Sequence, residues 1–145
     1  MKKVLFICNH NSARSQMAEA LLKQTCGEFF EVAAAGMKPG TLNPLAVQVM
    51  AELGIDISQN KTKDLFPFIR ERPGYNYVIS VCDKSTGQHC PSFPAGVRQI
   101  EWSFPDPATF AGTEEEKLAR TREVRDAMKS RIQAWCEDVC GAQVA

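Results

Sequence analysis

The sequence predicts one α/β domain over residues 1–145, built on a small four-stranded parallel sheet with helices on both faces. Three observations predict it. The apolar run Val4-Leu5-Phe6-Ile7-Cys8 reads as a buried strand and passes through a short polar loop into a helical pattern from Arg14 onward. Strand-like runs and helix-like runs then alternate along the chain, the arrangement that gives parallel strands joined by helical crossovers. Two of the strands, ending at Cys8 and Cys82, carry cysteine where ligands collect in such sheets, at the carboxyl ends of strands.

Each element has its own punctuation. The first helix shows Ala13, Met17, Ala20 and Leu21 on one face and stops near Gly27; residues 29–36 read as the second strand, followed by the loop Met37-Lys38-Pro39-Gly40. Asn43-Pro44 is a helix start, asparagine as cap and proline in the first position, and Gly54 ends the stretch carrying Ala46, Val49, Met50 and Leu53. Residues 61–65 open a short helix capped by Thr62 or Asp64. Residues 75–82 form the third strand and 97–102 the fourth, with a polar loop over 83–91 between them. Pro105 and Pro107 hold an extended turn around Asp106. Thr113-Glu114-Glu115-Glu116 is a capping box, and Leu118, Val124, Met128, Ile132, Trp135 and Val139 follow as the core stripe of a final helix.

At 145 residues the chain is long enough to bury a core without cross-links. Seventeen basic side chains balance seventeen acidic ones, which leaves no electrostatic footprint for nucleic acid or an anionic membrane. Any affinity for anions must therefore be local. Lys2-Lys3 precedes too short an apolar run for a secretion signal, no stretch has transmembrane length, and a cytoplasmic monomer is expected. Six cysteines in a reducing compartment suggest catalysis, metal binding or simple burial before a disulfide framework. Cys136 and Cys140, one turn apart on the final helix, read as packing or frayed-end thiols rather than a metal site, and Cys26 is given no role.

The chemistry concentrates in Cys8-Asn9-His10-Asn11-Ser12-Ala13-Arg14-Ser15. A strand-to-helix loop turns successive backbone N–H groups inward, and the helix dipole adds partial positive charge at the same place, making a cradle for a tetrahedral oxyanion. Cys8 lies at the bottom, where such surroundings favour the attacking thiolate, and the Ser15 hydroxyl is placed to donate to its sulfur. Arg14 can hold two anion oxygens with its planar fork. His10 and Asn11 suit the loop's backbone more than its chemistry, and His89 reads as a solvated loop residue near Cys90.

Cys8-x5-Arg14-Ser15 with Asp106-Pro107 resembles the low-molecular-weight protein tyrosine phosphatase family. Cys82 and Cys90-Pro91 make the chain more similar to that family's thioredoxin-coupled arsenate reductase branch. The best-matched blocks are His10 to Glu19, Val81-Cys82, Cys90-Pro91 and Trp102 to Pro107, within a resemblance running from Lys3 to about Trp135. It implies that Asn9 to Ser15 bind the oxyanion, that Cys8 attacks arsenic, and that Asp106 protonates the departing hydroxide. It further implies a relay in which Cys82 attacks Cys8, Cys90 attacks Cys82, and thioredoxin reduces the final disulfide. Phosphate and sulfate are the expected substrate analogues, and a built-in resolving cysteine favours thioredoxin over glutaredoxin.

No tightly bound cofactor is expected. Some relatives hold a potassium ion, for which Asn11, Glu19, Thr62 and Asp64 are the matching oxygen-bearing residues, with Ala34 where those relatives carry serine. Two other readings stand beside the reductase. A phosphatase would use Cys8, Arg14 and Asp106 in the same way, yet Ala108 follows Asp106-Pro107 where those enzymes usually present tyrosine. A non-catalytic oxyanion or arsenite sensor would bind without turnover and have no need of Asp106.

Overall fold

The computed structural model describes residues 1–10, 12–71, 74–82 and 96–140. Four strands, β1 (Lys2–Cys8), β2 (Phe30–Gly36), β3 (Tyr77–Ser80) and β4 (Arg98–Glu101), form one sheet in the order β2-β1-β3-β4. Every pairing is parallel: Phe6 lies opposite Ala34 on one side and Ile79 on the other, and Ile79 pairs in turn with Ile100. From β1 the chain first moves to one side of the sheet and later returns to build the other. The carboxyl end of β1 is thus the topological switch point, the crevice where open α/β sheets bind ligands. Cys8 is its last residue.

Alternation along β1 divides the core. Val4, Phe6 and Cys8 enter one apolar cluster, and Leu5 and Ile7 enter a second on the opposite face. Helices α1 (Arg14–Cys26), α2 (Pro44–Ala51) and α4 (Glu114–Cys140) supply the first cluster through residues such as Met17, Leu21, Val49, Met128 and Ile132. The other face is covered more thinly, by Leu65, Tyr75 and the one-turn helix α3 (Phe66–Ile69). Both faces are covered, but among the described residues nearly all the helical mass lies on one.

Local chemistry explains the boundaries. An Asn43 side-chain oxygen accepts from Leu45 N–H at 2.9 Å, and Pro44 opens α2 without needing a partner for an N–H. Gly54 takes φ 77° just beyond that helix, a left-handed geometry that suits glycine. At α4, Thr113 Oγ1 accepts from Glu116 N–H at 3.1 Å while Glu116 Oε1 accepts from Thr113 N–H at 3.4 Å, a reciprocal capping box. Of the two caps expected for α3, Asp64 accepts from Phe66 N–H, whereas Thr62 donates its hydroxyl to the Gly40 carbonyl. The third and fourth strands are shorter than their sequence patterns predict, though Val81 N–H continues the ladder by donating to Ile7 O at 2.9 Å.

Candidate active site

The loop between β1 and α1 is braced from outside. The carbonyls of Cys8, Asn9, His10 and Ser12 accept from the N–H groups of Met37, Lys38, Gly40 and Asn43, at 3.1, 2.7, 3.0 and 2.8 Å. Peptide planarity couples each carbonyl to the next N–H, so turning the Cys8, Asn9 and Ser12 carbonyls outward turns the amides of Asn9, His10 and Ala13 toward the loop's interior. The His10 ring adds to the brace, Nδ1–H donating to Lys38 O at 2.8 Å. Gly40 fits close beneath it: a Cβ there would lie 3.3 Å from His10 Cβ. His10 is therefore part of the loop's scaffold. Asn11 lies outside the described residues.

Helix α1 begins at Arg14, and this brings its first turn up to the sulfur. Cys8 Sγ lies 3.0 Å from Ser15 Oγ, both groups buried, so the hydroxyl can donate to a thiolate. Arg14 is 2% exposed. Its guanidinium donates to Phe104 O at 3.3 Å and pairs with an Asp106 carboxylate oxygen at 3.2 Å. The other Asp106 carboxylate oxygen accepts from Ala108 N–H at 3.0 Å, ahead of the 3-10 turn Pro107–Thr109. Asp106 thus does two things: one oxygen caps a turn, and the other faces the arginine that closes the anion loop.

Cys82 is buried to the same depth as Cys8, each 2% exposed. Its thiol points at the Ile7 carbonyl oxygen 4.0 Å away, and the ladder sets Val81 beside the end of β1. Both sulfurs belong to the same core cluster. The third cysteine of the expected relay, Cys90, lies outside the described residues, as does His89. One expectation needs correction. Cys26 and Cys136 are joined as a disulfide between α1 and α4, where the sequence reading assigned Cys26 no role and made Cys136 a packing or frayed-end thiol. Cys140 remains a free, half-buried thiol whose ionisation burial pushes upward.

Comparison with known proteins decides the lineage. The sequence signature of low molecular weight phosphotyrosine protein phosphatases matches residues 3–144. The arsenate reductase of Bacillus licheniformis is 40% identical over 136 residues, covering 94% of this chain and 96% of that protein. The chain belongs to the low-molecular-weight phosphotyrosine phosphatase family, in its arsenate reductase branch.

Solved structures of the family agree. An arsenate reductase in its oxidised state superposes with a TM-score of 0.76 at 30% identity, covering all of both chains. A thioredoxin-dependent arsenate reductase from Corynebacterium glutamicum gives 0.70 at 30% identity, covering 97% of this chain and 62% of that one.

Of the residues matching the potassium site of some relatives, Asn11 lies outside the described residues and Glu19 is already paired with cations. The Glu19 carboxylate lies 3.8 Å from each of the Lys23 and Lys63 ammonium groups, which would repel a second cation. The Thr62 hydroxyl donates to Gly40 O, one Asp64 oxygen accepts from Phe66 N–H, and Ala34 offers no side-chain oxygen. Beside them the buried Gln16 amide donates to Lys61 O at 3.0 Å and its carbonyl accepts from Asn60 at 3.2 Å, tying α1 to the 60–61 turn through protein groups.

Proposed function

We propose that the chain reduces arsenate to arsenite with three cysteine thiols and is returned to its reduced state by thioredoxin. Arsenate has the shape and charge of phosphate, so a loop that cradles one accepts the other, and phosphate or sulfate would occupy the same place without reaction. Arg14 and the inward amides of residues 9–15 bind three of the oxygens. The Cys8 thiolate forms a sulfur–arsenic bond, and the displaced hydroxide takes the Asp106 proton and leaves as water.

Reduction follows when Cys82 attacks Cys8 Sγ. The electron pair of the sulfur–arsenic bond stays with arsenic, which passes from As(V) to As(III) and leaves as arsenite, while the two cysteines are oxidised to a disulfide. Cys90 then attacks Cys82, releasing Cys8 as thiolate. The Cys82–Cys90 disulfide passes its oxidation to two thioredoxin thiols. Sulfur supplies both electrons, and no resident cofactor enters.

The observation that carries this reading is the place of a second sulfur, Cys82, buried beside the end of β1. A phosphatase would hydrolyse the Cys8 ester with water and give Cys82 no task. The test is arsenate-dependent NADPH oxidation with thioredoxin and thioredoxin reductase. Wild type should turn over. Cys8→Ser should lose activity by at least about a thousandfold, and Cys82→Ser should form the arsenic adduct without releasing arsenite. Cys90→Ser should release about one equivalent of arsenite and stop. Full turnover by Cys90→Ser would refute the three-thiol relay, and aryl phosphate hydrolysis far faster than arsenate reduction would make the chain a phosphatase.

A further inference from the structure

Helix α1 carries sulfur chemistry at both ends. Its first turn presents Arg14 and Ser15 to the anion loop, and its last residue, Cys26, is bonded to Cys136 of α4. The two Cα atoms are 6.3 Å apart, within the span of a disulfide, although 110 positions separate the residues in sequence. The pair sits in the apolar cluster that holds Leu22, Phe30, Met128 and Ile132, with Cys26 2% and Cys136 0% exposed.

We propose that Cys26 and Cys136 form a structural disulfide, separate from the catalytic thiols, that staples α1 to α4 and that burial shields from the reductant recycling the active site. The staple rests on these two residues alone; the shielding assumes the thiol recycling proposed above. Its formation balances as thiol–disulfide exchange. The two cysteines lose two protons and two electrons, and a low-molecular-weight disulfide accepts them and is split into two thiols.

Exchange in either direction requires a thiolate to reach a sulfur in line. Once α4 lies on α1, neither sulfur is open to a protein-sized dithiol, so oxidation occurs while the chain folds and reduction must await separation of the two helices. An enzyme that depends on continual reduction by thioredoxin could in this way keep one disulfide intact. The cross-link closes a long loop and so removes freedom chiefly from the unfolded chain.

Peptide mapping tests both halves without arsenate. Wild-type protein refolded with a low-molecular-weight disulfide, then alkylated in denaturant, should yield Cys26 and Cys136 as one cross-linked pair. Separate alkylation of the two would overturn the staple. Dithiothreitol should reduce the link at least about a hundredfold more slowly in native buffer than in denaturant; equal rates would overturn the shielding. Removing the link, by reduction in denaturant and refolding under reductant or in Cys26→Ala/Cys136→Ala, should lower Tm by about 10 °C. An unchanged Tm would overturn the structural role. The double variant should keep its arsenate turnover at temperatures where it stays folded. Failure of arsenate reduction in wild type would leave the cross-link and Tm results standing.

Discussion

Two pairs of cysteine sulfur lie in one molecule at nearly the same depth and in opposite surroundings. Cys8 and Cys82 are each 2% exposed, as is Cys26, and Cys136 is fully buried. Depth therefore does not decide which sulfur reacts. Cys8 ends a strand at the sheet's switch point, 3.0 Å from a hydroxyl, with a buried guanidinium and a loop of inward-turned amides about it. Cys26 and Cys136 join two helices through leucine, phenylalanine, methionine and isoleucine. A thiolate needs polar donors to exist, and of these four sulfurs it is Cys8 that lies within reach of a hydroxyl.

Substitutions at each pole should break or sharpen that contrast. The largest effect is expected from Arg14→Lys, which replaces a planar fork reaching both Phe104 O and Asp106 with a point charge. Steady-state arsenate kinetics should show kcat/KM falling by about 10²–10³-fold with the Cys26–Cys136 link unaffected; a loss under about threefold would mean the polar surroundings count for little. Met128→Ala attacks the other pole. Met128 is fully buried in the α1–α4 layer, and its truncation should cost about 2–4 kcal/mol in denaturant unfolding while leaving the alkylation rate of Cys8 in the folded protein unchanged.

Ser15→Ala removes the hydroxyl beside the catalytic sulfur, and the rate of Cys8 alkylation at neutral pH should drop about tenfold, as loss of one hydrogen bond to a charged group implies. The smallest effect is expected at Glu52→Gln. Hydrogen bonds from Arg122 and Arg125 hold the Glu52 carboxyl at about 2 against an ordinary 4.5. A carboxyl lowered by folding stabilises the native state above its unfolded value, and that contribution fades as pH falls from about 4.5 toward 2. The variant should flatten the acid limb of a Tm against pH curve and move the neutral Tm by less than about 3 °C, because Glu52 and Arg122 are exposed and the buried Arg125 keeps Asp126 and Val49 O as partners.

What could be read in advance was whatever the chain encodes over a few residues. Asn43-Pro44 and Thr113-x2-Glu116 start helices where the sequence signals them, and Gly27 and Gly54 lie just beyond helix ends. The strand, loop and helix around Cys8 also follow from local pattern, as does the Cys8–Ser15 contact. Contacts joining distant segments left no local trace. The Cys26–Cys136 bond links two helices far apart in sequence, and a thiol at a helix end looks the same whether or not a partner waits across the core. The backing of the anion loop by residues 37–43 is made by main-chain groups, which carry no residue signature. Thr62 shows the same limit: its side chain offered a cap, and the fold used it to hold Gly40.

That backing has a consequence for selectivity. Because the connection after β2 grips Cys8, Asn9, His10 and Ser12 from behind, an arriving anion spends less of its affinity on ordering those residues. Shape then screens out little beyond the wrong geometry, and discrimination between two look-alike guests passes from fit to electron count. Under the proposed relay phosphate would occupy the seat without being reduced; arsenic, with a lower oxidation state in reach, would be the guest that leaves changed.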